Sequence, residues 1–189
     1  MLGRVVFLCA VGLAPHPASR AQSRSTEQAG AIVIHAYHSD LAGMHAGSAG
    51  VKLRVGRDSA IADEPVLFVE YPTPTNDPAA RDVRLDANNR NWTRATAISF
   101  RVKPAHAMRI SVSFIDRNHV VYTAWTDLAA NMWQPVRIAF SDIRPNPYFQ
   151  PPDVKTGSPI DISDVGMIAF SPQDRTSGGL AITQIVLLK

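Results

Sequence analysis

The chain is poor in cysteine and in long apolar runs. Its one cysteine, Cys9, lies in the N-terminal apolar stretch, so the rest of the chain has no disulfide and no thiolate for catalysis or metal binding. The apolar and small-residue run 5–14 is too short to span a bilayer, and no later stretch approaches the ~20 residues of a membrane helix. Lysine and arginine are scattered singly, without the basic cluster typical of nucleic-acid binders. The sequence therefore predicts no membrane span and no nucleic-acid partner.

The first residues have the layout of a secretory signal peptide. Arg4 precedes the apolar run, and Ser19 and Ala21 occupy the small-residue positions of a cleavage site. We predict a signal peptide over residues 1–21 and a secreted or periplasmic protein. Removing it lowers the number of lysines and arginines from 19 to 17, against 16 acidic residues, so the mature chain is almost neutral. The preference for arginine over lysine is typical of a bacterial protein.

Beyond the predicted signal peptide, the pattern indicates one all-β domain. Residues 22–30 are small and polar without periodicity, which predicts a disordered lead-in before a single domain over 31–189. Apolar and polar residues then alternate over 98–103, 109–114 and 133–143, so each run has one wet and one dry face. The turn residues 116–118 predict a hairpin. Nine or ten short strands without a long amphipathic helix favour a β-sandwich of two antiparallel sheets.

The C-terminal half carries a family resemblance. Its core and turn positions match those of galactose-binding-like jelly rolls, and they are Trp133, Gln134, Val136, Ile138, Phe140, Ser141, Asp142, Ile143, Ile162, Ser163, Val165, Ile168, Phe170, Gly179, Leu180, Ile182, Ile185 and Leu187. The chain most resembles family 11 carbohydrate-binding modules and, more distantly, domains of the complex I intermediate-associated type. The resemblance implies a jelly-roll fold and a glycan ligand. Core and turn motifs of this kind identify a fold better than an activity.

Four aromatic residues are candidate glycan contacts. An aromatic ring binds a sugar by presenting a flat apolar face while nearby polar groups satisfy the hydroxyls. Tyr122 and Trp125 lie three apart near the end of a strand, and Tyr148 and Phe149 lie in the proline-rich loop 141–159. The alternative is that these rings cap the core under the loop.

Two arginines are further candidates. Arg101 and Arg109 occupy polar positions of neighbouring alternating runs, with Ser111 and Ser113 in the second run, and we predict that they share a wet sheet face that serves as a polar glycan groove. A solvated sheet face without a ligand explains the same residues.

The sequence predicts no metal and no other cofactor. The histidines at 35, 38 and 45 lack the spacing of a zinc site, and the turn 86–91 lacks the bidentate glutamate of an EF-hand. Modules of the resembled type commonly carry an aspartate pair linked to a structural calcium in the last strand. This chain has Thr183 and Gln184 there, so calcium remains only an open alternative.

Catalytic motifs are missing from the sequence. There is no Gly-x-Ser-x-Gly nucleophile turn and no glycine-rich phosphate loop. The chain is therefore predicted to be a secreted, non-catalytic carbohydrate-binding module whose partner is a polysaccharide or other glycan. The alternative from another class is a structural or protein-interaction jelly roll that binds a partner protein and no glycan.

Overall fold

The computed structural model describes residues 32–35, 37, 40–73, 81–87, 92–153 and 159–189. The predicted signal peptide and lead-in lie outside these ranges. Within them, no helix has the length and hydropathy of a membrane span. The strands are β1 (Ile32–His35), β2 (Met44–Ala46), β3 (Lys52–Asp58), β4 (Ile61–Tyr71), β5 (Val83–Asp86), β6 (Ala97–Pro104), β7 (Met108–Asp116), β8 (Val121–Leu128), β9 (Gln134–Ala139), β10 (Arg144–Pro145), β11 (Val165–Pro172), β12 (Gly178–Thr183) and β13 (Ile185–Leu188).

These strands form two antiparallel sheets. The seven-stranded sheet has the order β1-β13-β6-β12-β4-β3, with β9 paired to the other edge of β6. The six-stranded sheet has the order β10-β8-β7-β11-β5-β2. The inner faces of both sheets contribute to one hydrophobic cluster, which makes the fold a β-sandwich. The predicted all-β jelly roll of two antiparallel sheets is confirmed.

Aromatic rings join the two sheets through the core. Phe100 of β6 meets Phe170 of β11 edge to face, with ring centroids 5.3 Å apart. Phe140 packs against Phe114 of β7 at 5.9 Å and against Trp92 at 6.0 Å. Burial of a side chain of this size stabilises the fold by about 1.5–3 kcal/mol, and a favourable ring geometry adds about 0.5–1.5 kcal/mol. The alternating apolar residues of the sequence thus supply the contacts that hold the sheets together.

The predicted hairpin is present as β7 and β8. Asp116 stabilises its turn, since one carboxylate oxygen accepts the backbone N–H groups of Asn118 and Val120, both at 2.9 Å. His119 follows with a φ of 62°, a left-handed conformation that closes the turn. An aspartate that bonds the backbone two residues further on is a common turn former, so this local prediction needed no tertiary information.

The strands β6 and β7 lie in different sheets, which corrects one prediction. The sequence places Arg101 and Arg109 on neighbouring strands of one face, but β6 pairs with β9, β12 and β13, whereas β7 pairs with β8 and β11. The connection 105–107 crosses between the sheets instead of turning back, and the backbone N–H of Ala105 bonds the carbonyl of Gly179 at 2.9 Å. Arg101 and Arg109 therefore face outward on opposite sides of the sandwich.

Three elements differ from the predicted strand pattern. The three glycines of 39–50 predict a loop or a short helical turn, but this segment contains β2, and the loop predicted over 141–159 contains β10. The apolar run 180–188 after two glycines predicts one strand, which divides at Gln184 into β12 and β13. Both parts pair in succession with the same side of β6, but β12 continues to β4 and β13 continues to β1. Short strands of two or three residues are too brief to produce an alternating pattern.

The turn of the β3–β4 hairpin contacts an outward side chain of the same seven-stranded sheet. At its turn, a carboxylate oxygen of Asp58 accepts hydrogen bonds from Lys103 Nζ at 2.6 Å and from Trp133 Nε1 at 3.3 Å. Val66 of β4 and its pairing partner Thr183 of β12 point outward by alternation, yet they are only 0% and 3% exposed. The outer face is therefore covered at these two positions.

Candidate functional site

The outer face of the six-stranded sheet combines polar and aromatic side chains. Pairing of β7 with β8 sets Arg109 opposite Asp127 and Ser111 opposite Trp125. All four point away from the core because alternate residues of a strand share a face. Trp125 is 41% exposed, and Arg109 Nε lies 3.7 Å from Asp127 Oδ1. The side chains of Trp125 and Arg109 thus lie next to each other on the outer face of the six-stranded sheet.

A cavity of about 460 Å³ adjoins the Trp125 ring. Arg109, Gln173 and Asp174 complete its lining. Gln173 follows β11, its backbone N–H donates to the Arg109 carbonyl at 2.8 Å, and its side-chain amide donates to Ser111 Oγ at 2.9 Å. Within the described residues, its amide oxygen accepts no hydrogen bond. The cavity offers an apolar ring with a cation, a carboxamide and a carboxylate beside it.

A polar cluster holds Asp174 at the edge of this cavity. His106 Nε2 lies 2.7 Å from Asp174 Oδ2 and 2.6 Å from Thr176 Oγ1, and these two oxygens are 3.0 Å apart. The buried Arg81 guanidinium donates to the carbonyls of Asp174 and Thr176. A catalytic hydroxyl–imidazole–carboxylate relay uses both imidazole nitrogens, whereas here the hydroxyl and the carboxylate share one. The cluster therefore positions Asp174 and does not form a nucleophile.

A second cavity of about 500 Å³ lies where β8 of one sheet passes β9 of the other. We call it the seam cavity. Its lining includes apolar groups such as Ile138, the Trp125 ring, and the arginines Arg109, Arg137 and Arg144. Trp125 and Arg109 line both cavities, so the two spaces adjoin these side chains, and we call the two cavities together the groove.

The loop after β10 presents two aromatic rings to solvent. Tyr148 is 82% exposed and Phe149 is 57% exposed. The Asn146 side chain donates to a threonine hydroxyl of β8 at 3.0 Å and accepts the Tyr148 N–H at 2.8 Å. On the other side of the rings, the Gln150 carboxamide bonds both backbone groups of Val121. The rings are thus exposed on a loop that is attached to β8 at both ends.

Two predicted glycan contacts, Tyr122 and Arg101, lie outside the lining of the two cavities. Tyr122 and Trp125 are separated by an odd number of residues, so they point to opposite faces of β8. Tyr122 is 4% exposed, its hydroxyl donates to the Pro159 carbonyl at 3.3 Å, and burial raises its pKa. Arg101 is half-buried on the other sheet, where its backbone N–H donates to Thr183 Oγ1 at 2.8 Å. Neither side chain belongs to the groove.

Metal ligation finds little support in the described ranges, which contain no group of three or more His, Cys, Asp or Glu side chains suited to an ion. His45 Nε2 lies 3.2 Å from Asp86 Oδ2. The other two histidine side chains and residues 88–91 of the predicted turn lie outside the described part. At the position of the expected aspartate pair, the Thr183 hydroxyl bonds backbone groups, including the Gln184 carbonyl at 3.4 Å.

The sequence interpretation missed four residues of the groove. Gln173 and Asp174 follow a core strand and lie outside the predicted site, although Gln173 has the same parity along the strand as the outward Ser171. Arg137 alternates with buried neighbours in β9, so its exposure can be predicted from the sequence. The sequence does not predict that Arg137 and Arg144 line the same cavity, because this depends on how the two sheets pass each other.

Comparison with known proteins gives structural matches only. No family model matches the chain, and no curated protein matches it. A family 11 carbohydrate-binding module from Clostridium thermocellum, in complex with a β-1,3-1,4-mixed-linked tetrasaccharide, superposes with a TM-score of 0.64 at 19% identity, over 84% of this chain and 95% of that chain.

Two further structures are similar. A family 30 carbohydrate-binding module of a cellulosomal cellulase from Clostridium thermocellum has a TM-score of 0.56 at 14% identity, over 84% of this chain and 97% of that chain. An exo-β-agarase matches with a TM-score of 0.60 at 11% identity, over 82% of this chain but only 25% of the agarase. The fold is therefore a jelly-roll β-sandwich like that of these modules, and the resemblance to family 11 modules is confirmed at the level of the fold.

Proposed function

We propose that this protein is a non-catalytic carbohydrate-binding module that holds a glycan in the groove at Trp125. The observation that carries the proposal is the exposed indole of Trp125 next to Arg109, Gln173 and Asp174. A sugar ring places its C–H groups against such an aromatic face, while charged and amide groups beside it bond the hydroxyls. The similar family 11 module, described in complex with a tetrasaccharide, supports this choice.

Tyr148 and Phe149 form a second proposed contact. Their loop is attached to β8 at Val121, four residues from Trp125, which corresponds to about 14 Å along the strand. A ligand that touches both places must be an oligosaccharide, not a single sugar. Attachment of the loop on both sides lowers the entropy cost of ordering the two rings on binding.

The proposed location is outside the cytoplasm. Residues 1–21 would direct a bacterial protein for secretion or to the periplasm, where polysaccharides are available. In this proposal the mature chain binds a glycan and does not cleave it. The hydroxyl and the carboxylate of the polar cluster share one imidazole nitrogen, so the cluster positions Asp174 and does not activate a nucleophile.

The test is affinity electrophoresis of the purified protein through gels that contain mixed-linkage β-glucan, xylan, mannan or agarose, with calcium and with chelator. We expect retardation by at least one glycan, independent of chelator. Trp125→Ala should lower the affinity at least about tenfold, as expected for an aromatic anchor, and Trp125→Phe should retain part of it.

Tyr122→Phe is the matched control, since it removes only a buried hydroxyl and should bind like the original protein. Tyr148→Ala tests the second contact separately. Free migration of the folded protein in every gel would contradict glycan binding and favour a partner protein. Retardation that survives Trp125→Ala would show that the binding face lies elsewhere.

A further inference from the structure

The seam cavity has an excess of positive charge. Among the described residues, Arg109, Arg137 and Arg144 line it, and Asp142 is its one acidic residue. Arg109 has Asp127 as a partner at 3.7 Å. For Arg137 and Arg144, no carboxylate of the described residues lies within the 4.0 Å of an ion pair. A cavity next to an aromatic ring thus contains two guanidinium groups that form no ion pair with a described carboxylate.

These guanidinium groups also have free donors. Arg144 Nη1 donates to the backbone carbonyls of Ser141 and Ile143, which orients the side chain and leaves its other N–H groups unused. Arg137 is exposed and makes no hydrogen bond to the described residues. The planar guanidinium presents parallel N–H groups that match the oxygens of an oxyanion. Neutral hydroxyls would use these donors less well.

We propose that the seam cavity is a subsite for an anionic sugar, one that carries a carboxylate or a sulfate group. The inference rests on the proposed glycan-binding function, because Trp125 lines the seam cavity as well as the first one. A sugar ring stacked on the indole places the substituents of that sugar, or of its neighbour, toward Arg137 and Arg144. The preferred ligand is then an acidic polysaccharide.

The experiment compares acidic and neutral glycans with the full protein. Binding is measured by affinity electrophoresis and titration calorimetry to polygalacturonate and alginate as carboxylated glycans, to carrageenan as a sulfated glycan, and to mixed-linkage β-glucan and agarose as neutral ones. Each is tested at about 0.02 M and about 0.2 M salt, because screening weakens exposed charge pairs. The carboxylated and sulfated arms show which anionic group is preferred.

Arg137→Gln is the decisive variant, since Arg137 supports no other described group. We expect it to weaken binding of the acidic glycan about tenfold at low salt and to leave binding of neutral glycans unchanged. Arg94→Gln is the matched control, because Arg94 is exposed and lies outside the lining of both cavities. Arg144→Gln provides a second variant, with circular dichroism to verify its fold.

Two results would overturn the subsite. One is preference for neutral glycans, or equal binding of both kinds. The other is an equal loss in Arg137→Gln and Arg94→Gln, which would show general charge attraction only. In either case, binding that still depends on Trp125 leaves the proposed function intact. Failure of the folded protein to bind any glycan, acidic or neutral, would instead contradict the proposed function itself, and the subsite with it.

Discussion

The contact between the β3–β4 turn and the seven-stranded sheet should make stability depend on pH. We consider Asp58→Asn. The Asp58 carboxylate accepts hydrogen bonds from Lys103 Nζ at 2.6 Å, from the Ala60 N–H at 2.9 Å and from Trp133 Nε1 at 3.3 Å. The hydrogen bond from Lys103 is the largest of the effects that lower the pKa of Asp58, and they outweigh its desolvation.

The magnitude follows from the geometry of this contact. A hydrogen bond to a charged group contributes about 1.5–3 kcal/mol, and an exposed ion pair contributes at most about 1 kcal/mol. The Asp58 side chain is 12% exposed and that of Lys103 is 32% exposed, so the contact lies between these cases. We expect Asp58→Asn to lower the free energy of unfolding by about 1.5 kcal/mol at pH 7. The melting temperature should fall by about 3–6 °C.

The sign of the pH dependence follows from the lowered pKa. Above the unfolded pKa of about 3.9, Asp58 is ionised in both states, and its stabilising contribution is fully present. As the pH falls through the folded pKa, the carboxylate becomes protonated and the contribution is lost. The difference between Asp58→Asn and the original protein should therefore be constant near neutrality and shrink below about pH 4.

Urea unfolding, followed by tryptophan fluorescence and circular dichroism from pH 7 down to pH 3, measures this difference. Asp127→Asn is the matched control, because the Asp127 side chain is 83% exposed and its arginine partner lies at 3.7 Å. That variant should change stability by less than about 0.5 kcal/mol. Lys103→Met should reproduce most of the loss, and the double variant should show coupling. A loss that stays the same at every pH, or no loss at pH 7, would refute the reasoning.

Two further predictions concern the core and the loop. Phe170 is fully buried against Phe100, so Phe170→Ala should cost about 3–5 kcal/mol and lower the melting temperature by about 10 °C, whereas Phe149→Ala should leave it almost unchanged. Gln150→Ala removes both side-chain partners of the Val121 backbone and should speed hydrogen exchange of the Val121 amide at a cost of about 1–2 kcal/mol. Unchanged exchange would contradict the role given to Gln150.

Local patterns predicted the strands and failed at their assignment to sheets. The runs that became β6, β7 and β9 alternate clearly because each buries one face. The connection 105–107 has the length of a hairpin turn, yet it crosses to the other sheet. Which sheet a strand joins depends on contacts far along the chain, such as the pairing of Val112 with Phe170. No local periodicity contains that information.

The groove was predictable only in part. The outward position of Trp125 follows from alternation, and the same rule, applied consistently, places Tyr122 inside. That error was avoidable without a structure. The approach of Gln173 to Ser111 was not predictable, because it depends on the register of β11 against β7. A groove assembled from several strands is a property of register, and register emerges from the packed core.

The carboxamide of Gln150 has a consequence for how the molecule behaves among its own copies. The strand β10 is two residues long, so β8 would present open backbone groups beside it. Open N–H and C=O groups at the margin of a sheet are templates for strand addition by another chain. At Val121, the side chain of Gln150 bonds both groups, and the carbonyl also accepts the backbone N–H of Asn146 at 2.7 Å. Next to the exposed Tyr148 and Phe149, Val121 therefore leaves no open backbone group to which a strand of a second molecule could add.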